Sequence, residues 1–179
     1  MGVELKPSIG RISTGLGYIL FNLAKWMLRH GIDIKYYTIP ASELEKLVGQ
    51  QVGCHCWLWD GKYWYTDLDT WRRIVKRDEL NEYKKWTVDR FDCDNFATAF
   101  SAHMAELFDM NSAGVALGAV LDKNTKKEIG YHAYNCLIAR NEGRTELWLY
   151  EPQNDYLAKA QKETDMGWAI YRTDLVIWR

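Results

Sequence analysis

The chain has 179 residues, of which 47% are hydrophobic and 26% are charged, as expected for a soluble globular protein that forms a single domain over 1–179. With a formal net charge of −1, the chain has no overall electrostatic attraction to nucleic acid or to an anionic membrane. Nine Trp and eleven Tyr favour either a β-rich core or an aromatic-lined groove, and composition does not separate the two.

The first predicted element is an amphipathic helix over 12–30. Its apolar run at 16–24 is short, follows no basic stretch and is interrupted by Asn22, Lys25 and Arg29, so neither a signal peptide nor a transmembrane helix is expected. These features predict a cytoplasmic protein, in the host cytoplasm or the virion if the source is viral. Free thiols are then expected at all four cysteines, which are Cys54, Cys56, Cys93 and Cys136.

Three elements follow before residue 86. Ser42 and Glu45 have the spacing of a capping box and predict a short helix that ends at Gly49. Residues 54–66 alternate around Asp60-Gly61, a pattern typical of a β-hairpin. Residues 69–85 are charged with an apolar stripe, which indicates one surface helix or two short ones.

The best-defined helix begins after Asp92, a favourable N-cap residue, and extends to about residue 108. Asp94 adds negative charge to its first turn, as the helix dipole prefers. Strand patterns then occur in VALGAVLD, YHAYNCLIA, ELWLYEP and WAIYRTDLVIW. Helices followed by strands predict an α+β fold in which the helix that carries Cys93 packs on a mostly antiparallel sheet.

Cys93 lies between two aspartates in the segment RFDCDNF. A cysteine on the apolar side of a helix is often only a core residue, yet two carboxylates in one turn are costly unless solvated, paired or bound to a cation. The helix N-terminus lowers a thiol pKa, whereas neighbouring carboxylates raise it. The segment therefore leaves three interpretations open: a structural cysteine, a metal site or a nucleophile.

His132 within a predicted strand and Glu151 after the next strand complete a possible catalytic set. Cys93, His132 and Glu151 follow the chain order of papain-like enzymes, with nucleophile, base and orienting residue meeting only in the fold. The order alone is weak evidence for catalysis. A histidine in a strand is often structural, and Glu151-Pro152 can simply end a strand.

Several motifs together carry a family resemblance. The segments DCDNFA, YHAYN and YEPQN, with Trp86 seven positions before Cys93, resemble the papain-like cysteine-protease domain of the Marasmius oreades agglutinin type. The resemblance covers 86–154 by motif. Two features depart from the pattern: the sugar-binding β-trefoil repeat is absent, and 87–92 contain no glutamine to serve as an oxyanion donor.

The resemblance implies a papain-like/transglutaminase-like fold and a cysteine peptidase, a hydrolase of peptide or protein substrates. It assigns Cys93 as nucleophile, His132 as base and Glu151 as third catalytic residue. It also implies that Trp86 gates the site and that Gln153 lines it or donates to the oxyanion. Activation by calcium or manganese is implied as well, with Asp92 and Asp94 as ligands; these oxygen ligands suit such cations.

Two other functions remain open at this point. The first is a non-catalytic binding or structural module of the same fold, with the aromatic segment 57–65 as a platform for carbohydrate or peptide. The second is a transglutaminase-type acyl transferase, since the same triad performs both reactions. Cys54-His55-Cys56 has no second ligand pair nearby, and packing explains it better than zinc.

Overall fold

The computed structural model describes residues 17, 19–20, 22–23, 25–27 and 29–179. The chain divides into two compact units, one ending at Ile32 and the other comprising Asp33–Arg179. No helix in the described part of the chain is long and apolar enough to cross a membrane.

In the first unit, the described positions between 17 and 29 are helical (α1). The apolar side chains that predict an amphipathic helix here, among them Leu20 and Trp26, are at least half exposed where they are described. The predicted helix start at residue 12 lies outside the described residues.

The second unit contains four helices and nine strands among its described residues. The helices are α2 (Ala41–Gln51), α3 (Leu68–Val75), α4 (Leu80–Tyr83) and α5 (Cys93–Phe108). The strands are β1 (Tyr37–Pro40), β2 (His55–Leu58), β3 (Lys62–Asp67), β4 (Ala113–Leu121), β5 (Glu128–Asn141), β6 (Arg144–Glu151), β7 (Tyr156–Lys159), β8 (Thr164–Asp165) and β9 (Ile170–Trp178).

All nine strands belong to one sheet with the order β1-β3-β5-β4-β9-β2, and β6, β7 and β8 branch from it. Strand β2 pairs parallel with β9, whereas β3 pairs with β1 and β5. Only residues 59–61 connect β2 to β3, and so short a connection spans at most about 14 Å. The sheet therefore curls into a half-barrel that brings β2, at one end of the order, close to β3, the second strand from the other end.

This topology corrects the predicted β-hairpin. The two strands and the tight Asp60-Gly61 connection are present, but none of the described strand pairings joins β2 to β3. Residues more than 110 positions away pair with β2 instead: His55 lies opposite Leu175 in β9. Alternation within a segment predicts strands, while their partners depend on the whole sheet.

The main hydrophobic core lies between the strands and α2. Buried side chains that form it include Leu44, Tyr65, Tyr134, Leu149 and Trp178. Helix α2 is longer than predicted, because it continues past Gly49 and ends where Gly53 adopts a positive φ of 79°.

Helix α5 packs on β4 and β5, with Ala97 against Val115 and Ala133. Its other buried residues, from Phe96 to Phe108, follow the predicted helical spacing. Asp92 is the N-cap, as predicted, and the charged segment after β3 forms two short helices, α3 and α4.

The predicted papain-like/transglutaminase-like architecture is corrected by this arrangement. A single curled, mostly antiparallel sheet with two parallel strand pairs makes up most of the second unit, and α5 is its one helix longer than 11 residues among those described. The strands after residue 113 set the fold, and the helices cover their surfaces.

Candidate functional site

Cys93 is the first residue of α5 and is half-buried beside β5. Asp92 is the N-cap of the helix, and its backbone N–H donates to Asn95 Oδ1 at 3.2 Å. Phe91 and Phe96 stack edge to face, with ring centroids 4.8 Å apart, which fixes the chain as it enters the helix. The thiol is therefore held at the positive end of the helix dipole.

The fold brings the three predicted catalytic residues together. His132, on β5, forms a hydrogen bond with the Cys93 thiol, and the backbone N–H of Ala133 also donates to this sulfur. On its other side, His132 Nε2 lies 2.7 Å from Glu151 Oε2 at the end of β6. A continuous hydrogen-bonded chain thus runs from a thiol through an imidazole to a carboxylate.

Two pKa shifts follow from this chain. The hydrogen bond with His132 lowers the pKa of Cys93, against burial and the charge of Asp92, which raise it. Burial alone would lower the pKa of His132, but its bonds to Cys93 and Glu151 outweigh burial and raise it to about 9. Opposite shifts of this kind favour a thiolate–imidazolium pair.

Glu151 is only 2% exposed, so its charge depends on internal donors. The hydroxyl of Tyr171 donates to Oε2 at 2.9 Å, and the backbone N–H of Gln153 donates to Oε1 at 3.2 Å. The ring of Tyr171 also meets His132 edge to face, with centroids 5.5 Å apart. Sequence reasoning missed Tyr171, although alternation along β9 could have placed it on the inner face.

The two remaining residues of the predicted site are placed differently. Gln153 contacts Glu151 through its backbone, and its buried side-chain Nε2 has no acceptor among the described residues. Trp86 lies in the segment between α4 and α5 and is 56% exposed. Their roles as substrate-lining residue and gate stay predictions.

Asp92 and Asp94 form a close carboxylate pair at the start of α5. The interaction between their side chains lowers the pKa of Asp92 and raises that of Asp94. No group of three His, Cys, Asp or Glu side chains among the described residues is arranged to hold a metal ion. Two carboxylates fall short of the six to eight oxygens that calcium takes, so calcium or manganese stays a prediction.

Cys54 and Cys56 pack against the main core beside buried Cys136. Burial raises the pKa of Cys54 to about 11, which keeps this thiol protonated at neutral pH. All four cysteines are free.

A second surface feature lies at the connection between β2 and β3. Trp57, Trp59 and Trp64 are 59%, 68% and 45% exposed, and we call this group the tryptophan corner. Lys62 lies 5.7 Å from the ring centroid of Trp64, and Arg179 lies 5.5 Å from that of Trp59. Large exposed indoles of this kind mark binding surfaces more often than single scattered apolar side chains do.

Asn111 holds the corner in place. Its Oδ1 accepts from the Trp64 backbone N–H at 2.7 Å, while its Nδ2 donates to Asp60 Oδ2 and to the Lys62 carbonyl. A pocket of about 220 Å³ opens beside it, between the outer face of α5 and Arg179. The corner is thus a fixed aromatic surface with a concave neighbour.

Comparison with known families shows to which family this chain belongs. Residues 46–171 match the family described as the ricin-type beta-trefoil lectin C-terminal domain. The chain belongs to this family. The match includes α5, the tryptophan corner and most of the sheet. A search of curated proteins finds no significant match.

Two solved structures share the fold of this lectin C-terminal domain. One is a Polyporus squamosus lectin bound to the human-type influenza-binding epitope Neu5Aca2-6Galb1-4GlcNAc, with a TM-score of 0.58, 21% identity, and coverage of 79% of this chain and 49% of that chain. The other is a PSL1a-E64 complex, with a TM-score of 0.58, 21% identity, and coverage of 79% of this chain and 51% of that chain. The present chain therefore spans about half the length of each.

Family membership corrects the functional expectations from the sequence. The family is one of lectin domains, so the fold assignment moves from papain-like/transglutaminase-like to that of lectin C-terminal domains. The predicted cysteine peptidase, with its peptide or protein substrate, is corrected for the same reason. Of the alternatives that the sequence left open, the non-catalytic binding module agrees with the family.

Proposed function

We propose that this lectin C-terminal domain binds carbohydrate in a non-catalytic role, through the tryptophan corner. The observation that carries the proposal is the exposure of three indoles within residues 57–64: Trp57 in β2, Trp59 in the connection and Trp64 in β3. Each indole offers an apolar face on which the C–H face of a sugar ring can pack, and its N–H is available as a donor to a hydroxyl.

The structural neighbours supply a ligand to test. The Polyporus squamosus lectin was solved with Neu5Aca2-6Galb1-4GlcNAc, and we extend this ligand class, a sialylated oligosaccharide, to the present chain as a proposal. Titration calorimetry with this trisaccharide should give saturable binding. Replacing Trp57 or Trp59 by Ala should weaken binding at least tenfold, because truncating a tryptophan that anchors a binding site costs about 2 kcal/mol or more.

Trp86→Ala is the matched control, since Trp86 is exposed to a similar extent but lies outside the corner. Its affinity should stay within twofold of that of the wild type. The proposal would be contradicted if the control lost as much affinity for the trisaccharide as the Trp57→Ala variant. It would also be contradicted if the protein bound no glycan on an array.

The hydrogen-bonded chain from Cys93 to Glu151 supports a second proposal about the same domain. We propose that Cys93 is a nucleophilic thiol that forms covalent adducts with small electrophiles, with His132 stabilising its ionised form and Glu151 orienting His132. A neighbour was solved in complex with E64, so E64 is a suitable probe beside iodoacetamide.

Intact-mass measurement at neutral pH should find one adduct, at Cys93, well before any other cysteine reacts. Cys54, Cys56 and Cys136 serve as internal controls, because burial raises the pKa of each of them. Alkylation of Cys56 at the rate of Cys93 would contradict this second proposal and leave carbohydrate binding unaffected.

A further inference from the structure

We infer that Trp168 and Tyr156 form an aromatic subsite beside Cys93, which holds a neutral aryl group of an electrophile while its reactive carbon meets the thiol. The inference rests on the second proposal, adduct formation at Cys93, and adds to it a binding subsite and a ligand class.

Trp168 lies in the turn between β8 and β9 and is 55% exposed. Its ring packs edge to face with that of Tyr171, with centroids 5.7 Å apart and an angle of 85° between the ring planes. Tyr171 in turn contacts His132 edge to face, with centroids 5.5 Å apart, and donates to Glu151. Two ring contacts therefore connect an exposed indole to the imidazole that is bonded to Cys93.

Tyr156 is the second aromatic residue of this subsite. It begins β7, lies opposite Glu151 in the pairing of β6 with β7 and is 42% exposed. Its ring packs against Gly167, where an added Cβ would lie 3.3 Å from Tyr156 Cε2 and 3.5 Å from its hydroxyl oxygen. Gly167 directly precedes Trp168, so the ring of Tyr156 borders the turn that carries the indole.

Hydrogen bonds hold this turn in place. Lys123 Nζ donates to the Gly167 carbonyl at 2.8 Å and pairs with Asp165 Oδ1 at 2.8 Å. The Gly167 N–H donates to the same Asp165 oxygen, also at 2.8 Å. A turn that is fixed before binding loses little conformational entropy when a ligand packs on Trp168.

The charges around the turn indicate that the bound group is neutral. Lys123 and Asp165 are paired with each other, so their opposite charges offset one another beside Trp168. The indole and phenol rings offer apolar faces, on which an aryl ring packs in an offset or edge-to-face arrangement. A neutral aryl group therefore suits this surface better than a charged one.

Trp86 is the exposed indole that the sequence predicts at this site. It is 56% exposed, nearly the same as Trp168, but none of the ring contacts among the described residues joins it to His132 or Tyr171. We therefore assign the subsite to Trp168, and Trp86 provides a matched control.

Chloroacetamides test this subsite, because the group on the amide nitrogen can be changed while the reacting carbon stays the same. The thiolate sulfur of Cys93 attacks that carbon, a C–S bond forms, and chloride leaves with the electrons of the C–Cl bond. The experiment compares chloroacetamide with its N-benzyl and N-phenylpropyl derivatives on the full chain at neutral pH. Intact-mass measurement gives each rate of adduct formation, and each is divided by the rate with free cysteine.

Wild type should prefer at least one aryl derivative about tenfold, the effect expected for one aryl ring that packs on an indole. Trp168→Ala should remove this preference. Tyr156→Ala, a second variant at an exposed position, should reduce it. The preference should persist in Trp86→Ala.

The inference would be overturned if wild type showed the same ratio of rates as free cysteine, or if the preference survived both Trp168→Ala and Tyr156→Ala. Loss of the preference in Trp86→Ala alone would also overturn it. Protection of Cys93 by Galb1-4GlcNAc, the neutral part of the neighbour's ligand, would assign the subsite to a sugar and overturn the aryl class. Each of these results leaves adduct formation at Cys93 standing, whereas failure of all three probes to label Cys93 would overturn both.

Discussion

His132 Nε2 and Glu151 Oε2 are joined by a hydrogen bond of 2.7 Å, with a carboxylate that is almost completely buried. This bond, with that to Cys93, holds the pKa of His132 at about 9 against the opposing effect of burial. The folded protein therefore retains a proton that a free imidazole, with a pKa of 6.5, would release. The resulting stabilisation is complete below pH 6.5 and is lost as the pH rises through 9.

Glu151→Gln should lower the pKa of His132, because a neutral amide stabilises imidazolium less than a carboxylate does. A fall of one pKa unit corresponds to about 1.4 kcal/mol and a tenfold change in the ionised population. NMR titration of His132 measures the shift directly, and the rate of Cys93 alkylation at pH 7 should fall with it. Glu146→Gln, on the same strand but paired with Lys159, should leave both values unchanged.

Tyr171→Phe should destabilise the fold by about 1–3 kcal/mol, because it removes a donor from a buried carboxylate and leaves the ring in place. Urea unfolding measures this loss. Tyr156→Phe, at an exposed position, should change the free energy of unfolding by less than about 0.5 kcal/mol. Equal stability of the two variants would show that the Tyr171 hydroxyl does not support Glu151.

Gly118→Ala should strongly lower the free energy of unfolding, which urea unfolding measures. Gly118 lies where the register between β4 and β9 shifts, and an added Cβ would collide with the Arg172 carbonyl and lie 2.8 Å from Thr173 Cα. Both are backbone atoms that a side-chain rotation does not move, so we expect a cost of about 3 kcal/mol or more. Gly130→Ala is the control, since nothing lies within 4 Å of its added Cβ.

Calcium or manganese should bind the Asp92–Asp94 pair if the predicted metal site exists. A cation binds the ionised carboxylates, so affinity should rise with pH as the raised pKa of Asp94 is passed. Calorimetry at pH 5 and pH 7 measures this. Asp94→Asn should abolish binding; an unchanged affinity in this variant would refute the assignment.

Local features of the sequence predict local structure well in this protein. Asp92 as N-cap and the apolar spacing from Phe96 to Leu107 predict α5, which has these bounds within one residue. Chain order also suggested the set of Cys93, His132 and Glu151 that the fold brings together, from the start of α5, the interior of β5 and the end of β6. The roles of these residues stay predictions.

The long-range strand pairing and the function could not be predicted in the same way. The partner of β2 is β9, and no pattern within 54–66 encodes a parallel pairing with residues 175–178. The function was also predicted wrongly, because the prediction depended on a few short motifs around Cys93, His132 and Glu151, whereas the family match extends over 46–171. A site of one chemical kind does not fix what a whole domain does.

The position of β2 has a consequence for how the protein is made. The only described sheet partner of His55–Leu58 is β9, so β2 stays unpaired until about 120 further residues have been synthesised. Contacts between residues so distant in sequence are slow to form. During that interval the edge of β2, which includes the exposed Trp57, is available to other chains, so the nascent domain is prone to aggregation until β9 has been made.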